Sequence, residues 1–163
     1  LAPLYLNCLE FNEGQAIFLP AGIIHAYIQG TGLELMANSD NVMRGGLTSK
    51  YIDKTELLSI LDNKTYLPQI LEIDVNKSTS SYQTPAKEFV LSKLQIEPSL
   101  DFVCGKVPHI ILCTEGSGDF FAQETKISFT KGDSFFVPAS TQSFFIQGTA
   151  ILYDAKVPEQ KSP

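Results

Sequence analysis

The residue types able to do chemistry are sparse in this sequence, and the densest group lies near its start. The run GQAIFLPAGIIHAYIQG, residues 14–30, sets His25 among apolar residues and turn-formers. A histidine in such a run is either a core residue with its ring nitrogens satisfied or a metal ligand, the role neutral imidazole fills more often than any other side chain. A second part of the chain bears on the choice. GQAIFLPAGIIHAYIQGTGL aligns without a gap on GDSFFVPASTQSFFIQGTAI, with Gly14 on Gly132, Pro20 on Pro138 and Ile28-Gln29-Gly30-Thr31 on Ile146-Gln147-Gly148-Thr149. One structural unit is therefore expected twice. His25 falls on Ser143, so the unit can be built without a histidine, and a small polar serine is a poor substitute for a core ring. This favours the ligand role, although one histidine is a single ligand where catalytic zinc takes three or more from the protein. The other histidine, His109, opens the strand HIILCTEGSG and is expected to hydrogen-bond at a strand end.

The elements that must position these side chains read mostly as strands. AIFLP, LELMA, EFVLSKLQI, KISFT, SFFVP and SFFIQG are short, rich in β-branched and aromatic residues, and separated by Gly, Pro, Asn and Asp. In FVLSKLQI the alternation predicts Phe89 and Leu91 inward and, after a slip, Leu94 and Ile96. One helix is expected in IDKTELLSILD, where Asp53 can cap the N-terminus and Glu56 follows three residues later, ahead of Leu57, Leu58 and Leu61. Its expected role is to cover a barrel end. The polar stretch NKSTSSYQTP, residues 76–85, reads as a linker.

Composition bounds what these elements can serve. The 163 residues, 44% hydrophobic and 18% charged, suit one globular domain or two small barrels. The apolar runs fall far short of the roughly 18 residues of a membrane-spanning helix, so no membrane segment is expected. A net charge of −6, with twelve Lys and Arg scattered along the chain, argues against nucleic acid as a partner. Any anionic ligand must be held by a few local cations. The three cysteines, Cys8, Cys104 and Cys113, have no metal-binding spacing, and their odd number suits free thiols in a reducing compartment, read as the cytoplasm.

The spacing of Gly14, Pro20, Ala21, Gly22 and His25 resembles the second metal-binding motif of the cupin superfamily, whose consensus ends in Asn where this chain has Gln29. The resemblance implies two further ligands from an HxH or QxH pair and a carboxylate upstream, none of which the sequence contains. The continuation HAYIQGTGLELMANSDNVMRGGLTSKYID is more specific and resembles the second conserved block of type I phosphomannose isomerase, with YQTPAKEFVLSKL and the EGSGDF turn similar to the C-terminal domain of that family. The family implies a zinc-dependent interconversion of mannose 6-phosphate and fructose 6-phosphate. It further implies that His25 is the last zinc ligand, Arg44 a catalytic arginine, Lys50 a substrate-phosphate residue, and Tyr27 and Glu34 residues lining the pocket. Ser49 stands where the family usually has Pro, which leaves the backbone before Lys50 less restricted.

The chemistry asks for such residues. Aldose–ketose isomerisation moves a proton between C1 and C2 through an enediol, so the site must stabilise negative charge on sugar oxygens and shuttle a proton. Zn2+ can polarise the oxygens, Arg44 can stabilise an enediolate without titrating, and Lys50 can meet the phosphate. Glu34 is a base by type, or else an orienter of Arg44 or of a zinc ligand. It lies in the apolar run GLELMA, where an unpartnered buried carboxylate would be costly, so it is expected to face the site or a cation. Each residue has a plainer alternative: Arg44 as a surface turn residue, Lys50 as a solvated charge, Tyr27 as a core aromatic. Asn38, Ser39, Asp40 and Asn41 read as a turn presenting Arg44.

The expected fold is all-β and cupin-like. Residues 1–75 form the closing part of a metal-binding jelly roll with a short helix near 53–62, residues 76–85 a linker, and residues 86–163 a near-complete second barrel without metal ligands. A partial first barrel leaves an unpaired edge, which is expected to pair within the chain or in a dimer. Two functional readings stand. One is the C-terminal part of an isomerase acting on a phosphorylated hexose, inactive by itself; the sequence starts within the motif region and without Met, which favours it. The other is a cupin-like sugar or small-molecule binding protein without catalysis.

Overall fold

The computed structural model of the chain describes residues 4, 6–39, 42–45, 48–62 and 64–159. Two compact units meet between Leu71 and Glu72. The architecture is the expected one, antiparallel β structure with one short helix. Among the described residues no helix is long and apolar enough to cross a membrane.

The first unit holds few regular elements: strand β1 (Ala16–Ile17), helix α1 (Lys54–Ile60) and strand β2 (Ile70–Leu71), with β1 antiparallel to β2. The turn ahead of β1 is closed by Gln15 N–H donating to the Asn12 carbonyl at 3.1 Å and Asn12 N–H donating to the Gln15 side chain at 2.8 Å. Helix α1 starts where its cap predicts, with the Asp53 carboxylate accepting from Thr55 N–H and Glu56 N–H at 3.1 and 3.0 Å. None of its residues is buried. The expected strand LELMA does not form: residues 33–37 are irregular. Period-two patterning alone does not make a strand, because its backbone groups need a partner strand, and no described residue pairs with this segment.

The second unit is a seven-stranded antiparallel sheet. Its strands are β3 (Thr79–Ser81), β4 (Val90–Ile96), β5 (Ser99–Val103), β6 (His109–Ala122), β7 (Thr125–Thr130), β8 (Ser134–Val137) and β9 (Ser143–Lys156). The order is β3-β4-β9-β6-β7, with β5 also on β9 and β8 also on β6. The two long strands β6 and β9 run along each other from His109 opposite Lys156 to Phe121 opposite Phe145, and each takes different outer neighbours along its length. That is how a sheet folds over to enclose its own inner face. The core includes Leu94, Ile96, Cys104, Ile111, Cys113, Phe120, Phe129, Val137, Phe144, Ile146, Ala150 and Leu152, with Phe102 stacked on Phe144 at 4.7 Å. A register shift between Cys113 and Glu115 breaks the β6–β9 ladder. Just beyond it Gly116, at φ +79°, lies so close to the Thr149 carbonyl that any Cβ would overlap it.

Two expectations are corrected here. Strand β4 alternates without a slip: Ser92, Leu94 and Ile96 are buried on one face, and Leu91 is not. A serine tolerates the inward position because its hydroxyl lies 2.8 Å from that of Ser81. Ser81 belongs to β3, which lies inside the stretch read as a linker and pairs with β4 from Thr79 opposite Leu94 to Ser81 opposite Ser92. Ser and Thr at a sheet edge pair through the backbone, whatever their turn propensity.

His109 makes the hydrogen bond expected of it, though not in an expected setting. It is wholly buried, and its Nδ1–H donates to both oxygens of the equally buried Asp154 at 2.9 and 3.1 Å. The Phe102 ring meets it edge-on at 5.7 Å. Burial raises the Asp154 carboxyl above its ordinary value, opposed by the hydrogen bond and charge of His109 and by Lys156.

Candidate functional site

The segment carrying His25 is held at two points. Ile23 N–H donates to the Pro20 carbonyl at 3.4 Å, closing a turn in which Gly22 adopts φ +84°. That turn rests on the end of α1: Asp62 N–H donates to the Gly22 carbonyl at 3.0 Å, and a Cβ at position 22 would meet the Ile60 carbonyl oxygen at 3.1 Å. The helix therefore buttresses the turn before His25. The second point is Gly45, packed so tightly on Ile24 that a Cβ there would come within 2.5 Å of the Ile24 Cδ1. Gly45 follows Arg44 and Ile24 precedes His25, so the Ile24 side chain ties the segment of His25 to the backbone after Arg44.

His25 itself is exposed, and its Nδ1 lies 3.0 Å from the Ile23 carbonyl oxygen. A carbonyl can only accept, so Nδ1 donates, and in the neutral ring the lone pair is then on Nε2. This tautomer is the one metal-bound histidines adopt when a backbone carbonyl orients them. Tyr27 stands beside it, the rings 6.0 Å apart and 70° to one another. The Tyr27 hydroxyl is pushed above the ordinary phenol value, first by partial burial of the hydroxyl and then by the charge of Glu34, to which it hydrogen-bonds. His25, Tyr27 and Glu34 thus form a row of contacts.

Tyr27 is 74% exposed, so the reading of it as a core aromatic does not hold. Glu34 is exposed, because LELMA does not form a strand that would bury it, and of the two neighbours expected for it, the site or a cation, it meets Tyr27 of the candidate site. Arg44 and Lys50 are also exposed. Among the described residues neither makes an ion pair, and Lys50 is positioned through its own N–H, which donates to the Thr48 hydroxyl at 3.2 Å. Of the turn expected to present Arg44, Ser39 N–H donates to the Ala37 carbonyl at 2.7 Å, whereas Asp40 and Asn41 lie outside the described residues.

As a metal site this unit offers one ligand. Among the described residues no three His, Cys, Asp or Glu side chains converge to hold an ion. The residues present fit a single coordination position, with Nε2 of His25 as the donor. The tight Gly45–Ile24 packing was missed from the sequence, although the Gly-Gly pair after Arg44 signals a close approach. The His109–Asp154 pair was also missed, although an aspartate at an inward position of ILYDAK must have a partner.

Residues 78–155 match the family described as mannose-6-phosphate isomerase, cupin domain. The mannose-6-phosphate isomerase of Escherichia coli is 33% identical over 149 residues, covering 90% of this chain and 38% of that protein. Mannose-6-phosphate isomerase 1 of Arabidopsis thaliana is 34% identical over 145 residues, covering 87% of this chain and 34% of that protein. Among solved structures, mannose 6-phosphate isomerase of Salmonella typhimurium bound to fructose 6-phosphate and zinc superposes with a TM-score of 0.65 at 26% identity, covering 76% of this chain and 32% of that one. The chain spans little more than a third of the length of the curated relatives it matches.

Proposed function

We propose that the chain, whose residues 78–155 match the mannose-6-phosphate isomerase cupin domain and which aligns with those isomerases along nine-tenths of its length, belongs to their family and is the C-terminal part of a zinc-dependent isomerase of mannose 6-phosphate and fructose 6-phosphate. It contributes His25 to the metal and Arg44, Lys50, Tyr27 and Glu34 to the sugar phosphate, and it is inactive by itself. The observation that carries this reading is the Nδ1–H bond from the exposed His25 to the Ile23 carbonyl, which in the neutral ring leaves Nε2 as the donor atom for a metal.

Zinc, when bound, acts as a Lewis acid toward the sugar oxygens. The chain's own residues do the rest. Arg44, permanently charged and free of ion pairs among the described residues, meets the negative charge that develops on the enediolate. Lys50 holds the phosphate as a point charge. Glu34 accepts the Tyr27 hydroxyl proton in a hydrogen bond, which fixes the carboxylate where it can move a proton or orient its neighbours. The unpaired backbone of the first unit is covered by the rest of the isomerase or, in the isolated chain, by a second copy. The three free thiols support a reducing compartment, which we read as the cytoplasm.

The test is kinetic, in the full-length isomerase. Arg44→Ala is expected to lower kcat and kcat/KM together, and Lys50→Ala to raise KM for mannose 6-phosphate. Near-normal turnover in the first variant and an unchanged KM in the second overturn the assignments.

A further inference from the structure

The outer face of the second unit carries a row of side chains that the isomerase reading does not use. Register places Lys126 of β7 opposite Phe121 of β6, Phe121 opposite Phe145 of β9, and Phe145 opposite Asp101 of β5. All four point away from the core, since their strand neighbours Phe120, Ile146 and Leu100 face inward. The two phenyl rings lie 5.8 Å apart, tilted by 40°, with the Lys126 Nζ 5.4 Å from the centre of the Phe121 ring. The next row along the same strands is wholly polar: Ser128, Asp119, Gln147 and Ser99. The solvent side of an antiparallel sheet ordinarily reads as polar, so a paired aromatic platform there, rimmed by hydrogen-bonding groups, has the composition of a recognition surface.

The platform borders a hollow of about 380 Å³, lined by Phe121, Phe145, Asp101, Ser143 and Gln123 among others, a size within the range of small-molecule sites. Gln123 stands in the two-residue turn between β6 and β7 at φ +53°, a left-handed conformation that favours glycine. A residue held in that region against its preference marks a constrained place.

We propose that this face is a second carbohydrate site, binding an uncharged pyranose on the Phe121–Phe145 platform. Aromatic faces carry negative charge density that attracts the polarised C–H bonds of a sugar ring, while Asp101, Gln123 and Ser143 supply the acceptors and donors for its hydroxyls. The electrostatics disfavour a phosphorylated sugar. The cation of the row, Lys126, is committed to Asp119 at 3.2 Å, and the opposite end of the row is the exposed carboxylate of Asp101.

The test uses the whole chain in metal-free buffer, titrated with methyl α-D-mannopyranoside and methyl β-D-glucopyranoside and read by saturation-transfer NMR. Saturable binding of at least one is expected, weakened about tenfold, or 1.4 kcal/mol, by Phe145→Ala and also weakened by Asp101→Ala, with the melting temperature of each variant confirming an intact sheet. In the full-length isomerase the KM for mannose 6-phosphate is unchanged by either substitution, which separates this site from the isomerase site. Absence of binding by both pyranosides, binding that survives Phe145→Ala, or a mannose 6-phosphate preference abolished by Lys126→Ala overturns the proposal.

Discussion

Removing the Asp154 carboxylate should destabilise the second unit about as much as truncating a large apolar side chain of its core. Both partners of the His109–Asp154 pair are wholly buried, and the carboxylate meets the histidine Nδ1–H at 2.9 and 3.1 Å. The other ring nitrogen, Nε2, has no hydrogen-bond partner among the described residues. Asp154→Ala therefore leaves a ring with both nitrogens unsatisfied in a site that excludes water. Breaking a buried pair by deleting one partner costs about 3–5 kcal/mol. At roughly 4–8 °C per kcal/mol for a domain near 100 residues, the melting temperature should fall by at least about 12 °C. The companion variant carries Leu at both positions. It should recover most of the loss, because replacing both partners with apolar groups removes the unsatisfied atoms as well as the bond. Thermal and urea unfolding followed by circular dichroism reads both variants, and the single variants His109→Leu and Asp154→Leu complete the double-mutant cycle. A loss under about 1 kcal/mol for Asp154→Ala, or no coupling in the cycle, would show that the pair is not held as the geometry has it.

Two further perturbations probe the first unit. Gly45→Ala puts a methyl within 2.5 Å of Ile24 Cδ1, so the Ile24 side chain must rotate away at a cost of about 1 kcal/mol, with Ile24→Ala in the same chain relieving it; a destabilisation that Ile24→Ala leaves in place would contradict the packing. Glu34→Gln should lower the Tyr27 titration midpoint, seen by ultraviolet difference spectroscopy, because it removes the charge that helps hold the phenol protonated. The sign follows: a tyrosine raised above its unfolded value contributes stability that is intact below about pH 10 and is lost as pH rises through the folded midpoint. A Tyr27 midpoint that does not move in the variant would separate the two residues.

Much of this was readable in the sequence because local chemistry decides it. The Asp53 cap starts α1 where its spacing predicts, and the glycines of the duplicated segment, Gly14, Gly30, Gly132 and Gly148, all adopt positive φ. LELMA failed because a strand depends on a partner elsewhere, and no local pattern reports whether the partner is present. The slip expected in β4 came from ranking Leu91 as more apolar than Ser92, whereas sheet register fixed which face each took and Ser81 satisfied the hydroxyl. The candidate site was readable as residue types around His25. Its arrangement was not, because the Tyr27–Glu34 contact and the Gly45–Ile24 packing arise from segments folding back on one another.

The central claim is that this chain holds one ligand and several substrate groups of an isomerase site completed elsewhere. Zinc content and mannose 6-phosphate isomerase activity, measured in parallel on this chain, on the full-length isomerase and on its His25→Ala variant, test it most directly. The account predicts about one zinc per chain and turnover in the full-length protein, loss of both in the variant, and neither in this chain alone. Stoichiometric zinc or isomerisation by this chain alone, or full zinc occupancy in the His25→Ala variant, would contradict it.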